Sequence, residues 1–283
     1  MKNILFIISA AIVLYSCTTK GEMQTKAINE NYVILLDLSD RLIQNPDQVN
    51  IDTSVIRAVF EKFEKSVQRN LVIKSKDRFS IRIIPQRGSS LSANAFENSL
   101  SLDMAKYSAA EKLKQLNIFK AALSGQLALL YQQSFLGNKN SNFSGVDIWQ
   151  YFNEQINSDL DNRFNNKVVV LTDGYFDFED KSHGLNNGSL ATTTTPLLQK
   201  MKGQLWEKEA EEKNIGLMPV KLKNEASWLI CGIQSKNSKD LIEVKKLSYL
   251  WRNWLKGSGA LTIGDPILNS SSEKMKNLIL NNL

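Results

Sequence analysis

Histidine is nearly absent. The 283-residue chain carries one, His183. With no second His or Cys beside it, His183 is expected to be a solvent-exposed loop residue rather than a metal ligand. The nucleophile–His–carboxylate arrangements of acyl transfer are left without a plausible base. Cysteine is as scarce, with Cys17 and Cys231 alone. Cys231 sits in Trp228-Leu229-Ile230-Cys231-Gly232-Ile233, an apolar run in which a lone thiol is expected to pack as a small core residue. No phosphate-binding Gly-x-x-x-x-Gly-Lys loop occurs, nor a Gly-x-Ser-x-Gly elbow, nor a His-Glu-x-x-His helix. A long Lys/Arg block is also missing. The net charge of +6 is spread along the chain and not interleaved with aromatics, so it reads as a solvated basic surface and not as a nucleic-acid footprint. No internal repeat appears. The only biased tract is the four threonines at 192–195.

Against these absences stand two apolar runs of one form. The first is Tyr32-Val33-Ile34-Leu35-Leu36, running into Asp37-Leu38-Ser39-Asp40-Arg41. The second is Val168-Val169-Val170-Leu171, running into Thr172-Asp173-Gly174. Apolar runs without alternation are strands buried on both faces, as in a parallel sheet covered by helices. A carboxylate beside a hydroxyl at each C-terminal end points into the crevice where open α/β sheets bind ligands. Two such ends supply oxygen ligands for a hard cation.

At the other extreme of the chain, Lys2 and Asn3 precede an apolar stretch at 4–15, too short to span as an ordinary transmembrane helix, followed by Leu14-Tyr15-Ser16-Cys17. This resembles a bacterial lipoprotein signal over residues 1–16, which implies lipidation of Cys17 and a lipid-anchored protein of the cell envelope. Thr18 after the cysteine implies the outer rather than the inner membrane. A simple secretory signal or a signal anchor is the alternative. Residues 17–30 are polar and read as a tether, and 31–283 as a single domain.

Periodicity fills in the rest. Helices are expected over 54–68, with Asp52 or Thr53 as cap, over 107–135 with a break near Asn117, and over 148–156, 197–213, 239–255 and 271–282. Strands are expected at 79–84, at 99–103 as an antiparallel edge, at 227–233 and at 260–263, with a short extended piece at 216–223. Residues 42–52, 137–145 and 174–196 read as loops. Trp251 and Trp254 fall at helical spacing with Leu247 and Leu250, which places them in the core. Tyr175, Phe176 and Phe178 are either rim packing or a contact surface. This alternation of strands and helices predicts an α/β fold with a doubly wound, mostly parallel sheet, helices on both faces and one antiparallel edge strand.

With Asp37-Leu38-Ser39-Asp40-Arg41 after the first strand, Ser144-Gly145-Val146-Asp147-Ile148 opening a helix and Thr172-Asp173-Gly174 after a later strand, residues 30–265 resemble a von Willebrand factor A domain. The resemblance implies a metal-ion-dependent adhesion site holding Mg²⁺ or Mn²⁺, whose shell an acidic group of a partner completes. Asp37, Ser39 and Asp173 match three of its five ligand positions. Arg41 stands where a second Ser is expected, and Val146 where a Thr is expected. Ser144 and Asp147 flank Val146 and offer oxygens of their own. Arg41 is always charged and is no ligand. It either points outward, or enters the crevice and replaces the ion by pairing with Asp37 or Asp173. Asp40, Arg41, Ser144, Asp147, Thr172 and Tyr175 are therefore the expected partner or ion-replacing contacts.

Three functions are compatible with this. One is an envelope lipoprotein that binds an envelope protein or other acidic ligand through the rim of loops 38–52, 137–147 and 174–196. Another is a metal-dependent hydrolase using Asp37 and Asp173, although Asp37-Leu38-Ser39 lacks the second carboxylate of a haloacid-dehalogenase-like phosphatase. The third is a scaffold with a decayed site.

Overall fold

The computed structural model describes residues 28–86, 91–137, 145–178, 184–237 and 240–283. Cys17, the tether up to residue 27, Ser144 and His183 lie outside the described residues.

The chain enters the fold at β1 (Glu30–Leu36), buried along its whole length. Parallel neighbours flank it: β2 (Arg78–Ile83) on one side and β4 (Asn165–Leu171) on the other. Outside β4 lies β8 (Ser227–Ile233), then β10 (Ile267–Leu268), both parallel, with β9 (Thr262–Ile263) also paired to β8. Outside β2 lies β3 (Ser101–Asp103), antiparallel, as expected for the edge. The result is a seven-stranded, mostly parallel sheet in the order β10-β8-β4-β1-β2-β3.

Side-chain alternation along β1 explains why helices cover both faces. Tyr32, Ile34 and Leu36 pack with Val55, Val59 and Phe63 of α2 (Gln48–Arg69), Leu123 and Leu127 of α4 (Lys112–Gly137), and Met275 and Ile279 of α10 (Ser272–Asn282). Val33 and Leu35 pack with Phe152 of α5 (Ile148–Glu154) and with Leu247, Trp251 and Trp254 of α9 (Leu241–Gly257). Each such buried apolar side chain contributes about 1.5–3 kcal/mol relative to exposure. Cys231, Trp251 and Trp254 are core residues, as expected.

Several elements differ from the sequence reading. The loop at 42–52 holds a short helix, α1 (Arg41–Gln44), and α2 begins at Gln48, so Asp52 lies within a helix and caps nothing. Helix α4 is continuous through Asn117. Leu116, Phe119, Leu123, Leu127 and Leu130 bury at helical spacing, and this outweighs the few tenths of a kcal/mol that an exposed Asn costs a helix. A further short helix, α3 (Ala93–Ser99), precedes β3. The helix expected at 197–213 is two pieces, α7 (Thr195–Leu198) and α8 (Trp206–Glu212), separated by a stretch in which Gly203 has φ +80°. Within the long loop after β4, β5 (Asn186–Asn187) and β6 (Leu190–Ala191) form a tight hairpin through Gly188, at φ +64°. With β7 (Gly216–Leu217) they make a small sheet of their own. Between α5 and β4 runs the one-turn helix α6 (Ile156–Asp159).

Candidate functional site

Register brings the two strand ends together. Leu36 pairs with Leu171 across β1 and β4, and the next residue continues the ladder, with the Asp37 amide donating to the Leu171 carbonyl at 3.1 Å. Thr172 is tied to β8 in the same manner, its amide 3.0 Å from the Cys231 carbonyl. The Thr172 hydroxyl therefore lies beside Asp37 and donates to its Oδ2 at 2.8 Å, while Asp37 Oδ1 accepts from the Ser39 amide at 2.8 Å. Asp173 Oδ1 accepts from the Tyr175 amide at 3.1 Å. Asp37, Ser39, Thr172 and Asp173 are all buried at the C-terminal edge of the sheet. Gly174, at φ +102°, makes the turn that follows. A Cβ there would stand 2.7 Å from Ile233 Cδ1, the movable end of a side chain, so it is the left-handed backbone that calls for glycine.

Two oxygens of this group are unspent. Among the described residues, neither Ser39 Oγ nor Asp173 Oδ2 has a hydrogen-bond partner. Burial, and then the charge of Asp37, push the Asp173 carboxyl up to about 8. Near neutral pH that carboxyl is mostly protonated, and a divalent cation would have to displace its proton to bind there.

Arg41 follows the inward course in part: it pairs with Asp37 at 3.9 Å, but its main partner is Asp52. Its side chain is 1% exposed and turns inward. Nη1 and Nη2 donate to Asp52 Oδ1 and Oδ2 at 3.1 and 2.7 Å, and Nε donates to the Asp37 carbonyl at 2.8 Å. Asp52 also accepts from Gln48 Nε2 at 2.8 Å and from the Tyr131 hydroxyl at 3.0 Å. Burial by itself would loosen the guanidinium's proton, but Asp52 and then Asp37 more than offset it, and the pKa is raised. Arg41 Nε comes no nearer to the Asp37 carboxylate than 3.9 Å. The guanidinium is committed to Asp52 beneath the crevice.

Asp52 is the functional-site neighbour that the sequence reading missed. The signal was present: Asp52, Val55, Ile56 and Val59 share one helical face, so the carboxylate falls on the apolar side of α2 and requires a partner there.

The remaining candidates divide. Asp147 Oδ1 accepts from the Gln150 amide at 2.8 Å and caps α5. Val146 is buried in the apolar cluster under α5 and α9. Asp40, half-buried, accepts from Gln44 Nε2 at 2.7 Å. The Tyr175 hydroxyl donates to Glu243 Oε1 and accepts from the Lys236 amide at 3.1 Å, which clasps the turn after β4 to α9. Phe176 is fully buried against Trp251 and Trp254, which makes it packing, whereas Phe178 is half-buried. Gly145 lies so close to the Asp177 carbonyl that a Cβ would stand 2.0 Å from it, which brings the loop before α5 against the loop after β4.

The donor set is hard oxygen throughout, and it fits Mg²⁺ or Mn²⁺ if water supplies the balance. Among the described residues no group of three or more Asp, Glu, His or Cys side chains is placed to hold a metal ion, so hydroxyls and water carry a large part of any shell here.

No model of a known protein family matches the sequence, and no curated protein does. Among solved structures, the chain is similar to a pilus adhesin, SpaC, from Lactobacillus rhamnosus GG, at 11% identity and a TM-score of 0.41, over 91% of this chain and 30% of the adhesin. It is also similar to proximal thread matrix protein 1 from the mussel byssus, at 9% identity and a TM-score of 0.37, over 89% of this chain and 46% of that one. The chain therefore spans less than half the length of either.

Proposed function

We propose that this chain is a lipid-anchored bacterial envelope protein whose von Willebrand factor A-like domain binds a protein or other acidic partner through a degenerate metal-ion-dependent adhesion site. The order β3-β2-β1-β4-β8-β10 is compatible with a doubly wound sheet, in which ligands bind beyond the carboxyl ends of the strands where the winding reverses. The reversal here lies between β1 and β4. The observation that carries the proposal is that Asp37 and Asp173 follow those two strands, with Ser39 Oγ and Asp173 Oδ2 left without partners among the described residues. In this reading Asp37, Ser39 and Asp173 hold the ion, and Thr172 orients Asp37. A bound Mg²⁺ or Mn²⁺ presents an open position to a partner carboxylate. Arg41 holds the Asp37 backbone, and its charge, paired mainly with Asp52, still reaches Asp37 and Asp173 and offsets part of theirs.

The test is a titration of the full chain with Mg²⁺ and Mn²⁺, followed by melting temperature. A ligand that binds only the native state raises stability once its concentration passes its dissociation constant. We expect a saturable rise in the wild type that Asp37→Ala and Asp173→Asn abolish. A flat response at millimolar ion overturns the metal reading and favours the decayed scaffold, to which Val146 already lends support. The hydrolase rests on the same two carboxylates, and phosphoester turnover lost in Asp37→Ala would promote it. The anchor is tested by detergent-phase partitioning, which Cys17→Ser should abolish.

A further inference from the structure

Parallel pairing sets the amino ends of β1, β2, β4, β8 and β9 along one edge of the sheet, opposite the carboxylates. Helix α2 ends at that edge, and the loop from it to β2 carries Leu71 and Ile73, both exposed. Leu113, on the first turn of α4, is exposed as well. These residues are neighbours. Lys112 Nζ donates to the Ile73 and Ser75 carbonyls at 3.3 and 2.6 Å, which fixes the start of α4 against the loop. Ile28 adjoins them, its carbonyl accepting from Asn70 Nδ2 at 3.4 Å, and it shares a concavity with Leu261. Single exposed apolar side chains are ordinary, but a run of them along one edge marks a contact surface.

Leu71 is the most telling of the set. It follows Asn70, the C-cap of α2, and has φ +55°, the left-handed conformation that glycine usually supplies at that place. A side chain there strains the backbone. Leu71 is also 57% exposed, so its own burial does not offset the strain. Strain held at an exposed position points to a use outside the fold. The neighbouring charge says which. Across residues 70–76 and 104–114, Lys74, Lys76, Lys106 and Lys114 are exposed, against a single exposed carboxylate, Glu111. Apolar side chains interspersed with lysine match the surface of a bilayer that carries anionic headgroups. The apolar groups enter the acyl boundary and the ammonium groups stay among the phosphates.

We infer that this edge docks on an anionic lipid surface, with Leu71, Ile73 and Leu113 entering it and the lysines at its headgroups. The carboxylate crevice then faces away from the membrane. The place of the anchor agrees with this. Ile28 is eleven positions after Cys17, so a lipid at Cys17 holds this edge within about 40 Å of the bilayer. That agreement rests on the lipidation proposed above. The affinity of the patch for anionic lipid does not.

The experiment attaches an environment-sensitive fluorophore to the full chain at Leu71→Cys, at Leu113→Cys and, on the opposite edge, at Leu241→Cys. Cys231 is buried, and the unsubstituted chain labelled in parallel gives the background. Melting temperature verifies that each variant is folded. On vesicles containing phosphatidylglycerol, emission from 71 and 113 should shift to the blue and rise at least about twofold, as for a probe that leaves water for the interface. The response should persist in Cys17→Ser, be absent at 241, and be lost when Lys74→Glu and Lys76→Glu are combined. No response at 71 and 113 overturns the inference. So does an equal response at 241, or an equal response to phosphatidylcholine alone. Emission already blue-shifted before vesicles are added overturns it too, because residues 1–27 or a second copy of the chain then cover the patch. If detergent-phase partitioning shows no anchor while 71 and 113 still respond, the docking surface stands and the lipidation falls.

Discussion

At the scale of single residues, the crevice is built on a buried ion pair. Removing one partner of such a pair strands the other in low dielectric and costs about 3–5 kcal/mol, whereas replacing both with apolar groups is often near neutral. Arg41→Met and Asp52→Leu should each destabilise by that order, and the double variant by much less than their sum, as read by denaturant unfolding. Additive losses would show that the pair is not acting as a unit. Asp173 makes a second prediction, concerning pH. Its folded pKa is raised, from 3.8 to about 8, so its contribution to stability is full below the unfolded value and is lost as pH rises through the folded one. Without divalent ions, melting temperature should therefore decline between about pH 4 and 8 by more in the wild type than in Asp173→Asn, and Mg²⁺ should flatten the decline. Equal slopes would refute it. Asp37, Ser39, Asp173 and Arg41 were legible because each follows a recognisable buried strand. The destination of the Arg41 side chain was not, since it depends on a helix whose start lies six residues earlier than its hydrophobic spacing indicates. For Asp147 the capping role was not legible, because capping and metal ligation use the same residue type and only the backbone shows the cap.

At the scale of elements, strands were more legible than their connections. β1, β4 and β8 are continuous apolar runs, and burial on both faces leaves such runs no other role. α9 and α10 followed from helical spacing. The division of 197–213 into α7 and α8 depends on the positive φ of Gly203, and the break placed at Asn117 confused low propensity with low stability. Two substitutions separate these influences. Asn117→Ala, exposed in a helix held by its buried face, should stabilise by a few tenths of a kcal/mol. Gly174→Ala demands a left-handed backbone, so it should cost more than about 1 kcal/mol. Calorimetric melting of both would check the pair of expectations. A neutral Gly174→Ala would mean that the turn after β4 is free to rearrange.

At the scale of the whole molecule, the sheet divides the chain into two ends of unlike duty. The chain enters β1 at Glu30 along one edge, and the carboxylates lie along the opposite edge. Glu30 is itself pinned there: its amide donates to Asp77 Oδ1 at 2.6 Å, and its side chain pairs with Arg69. The tether expected before residue 30 would thus leave at the far end from the site. This has a mechanical consequence. A pull on a partner held at Asp37, resisted by an anchor before Glu30, passes straight along β1, a span of about 23 Å at the usual rise per residue. Both ends of the load then lie on one strand that is already extended, so the tension runs through its covalent backbone and the parallel ladders on its flanks are neither sheared nor peeled. Force spectroscopy with attachment at residues 28 and 40 should give a higher rupture force than attachment at residues 103 and 112, which strips the antiparallel edge strand first. Equal forces would mean that the central strand does not bear the load.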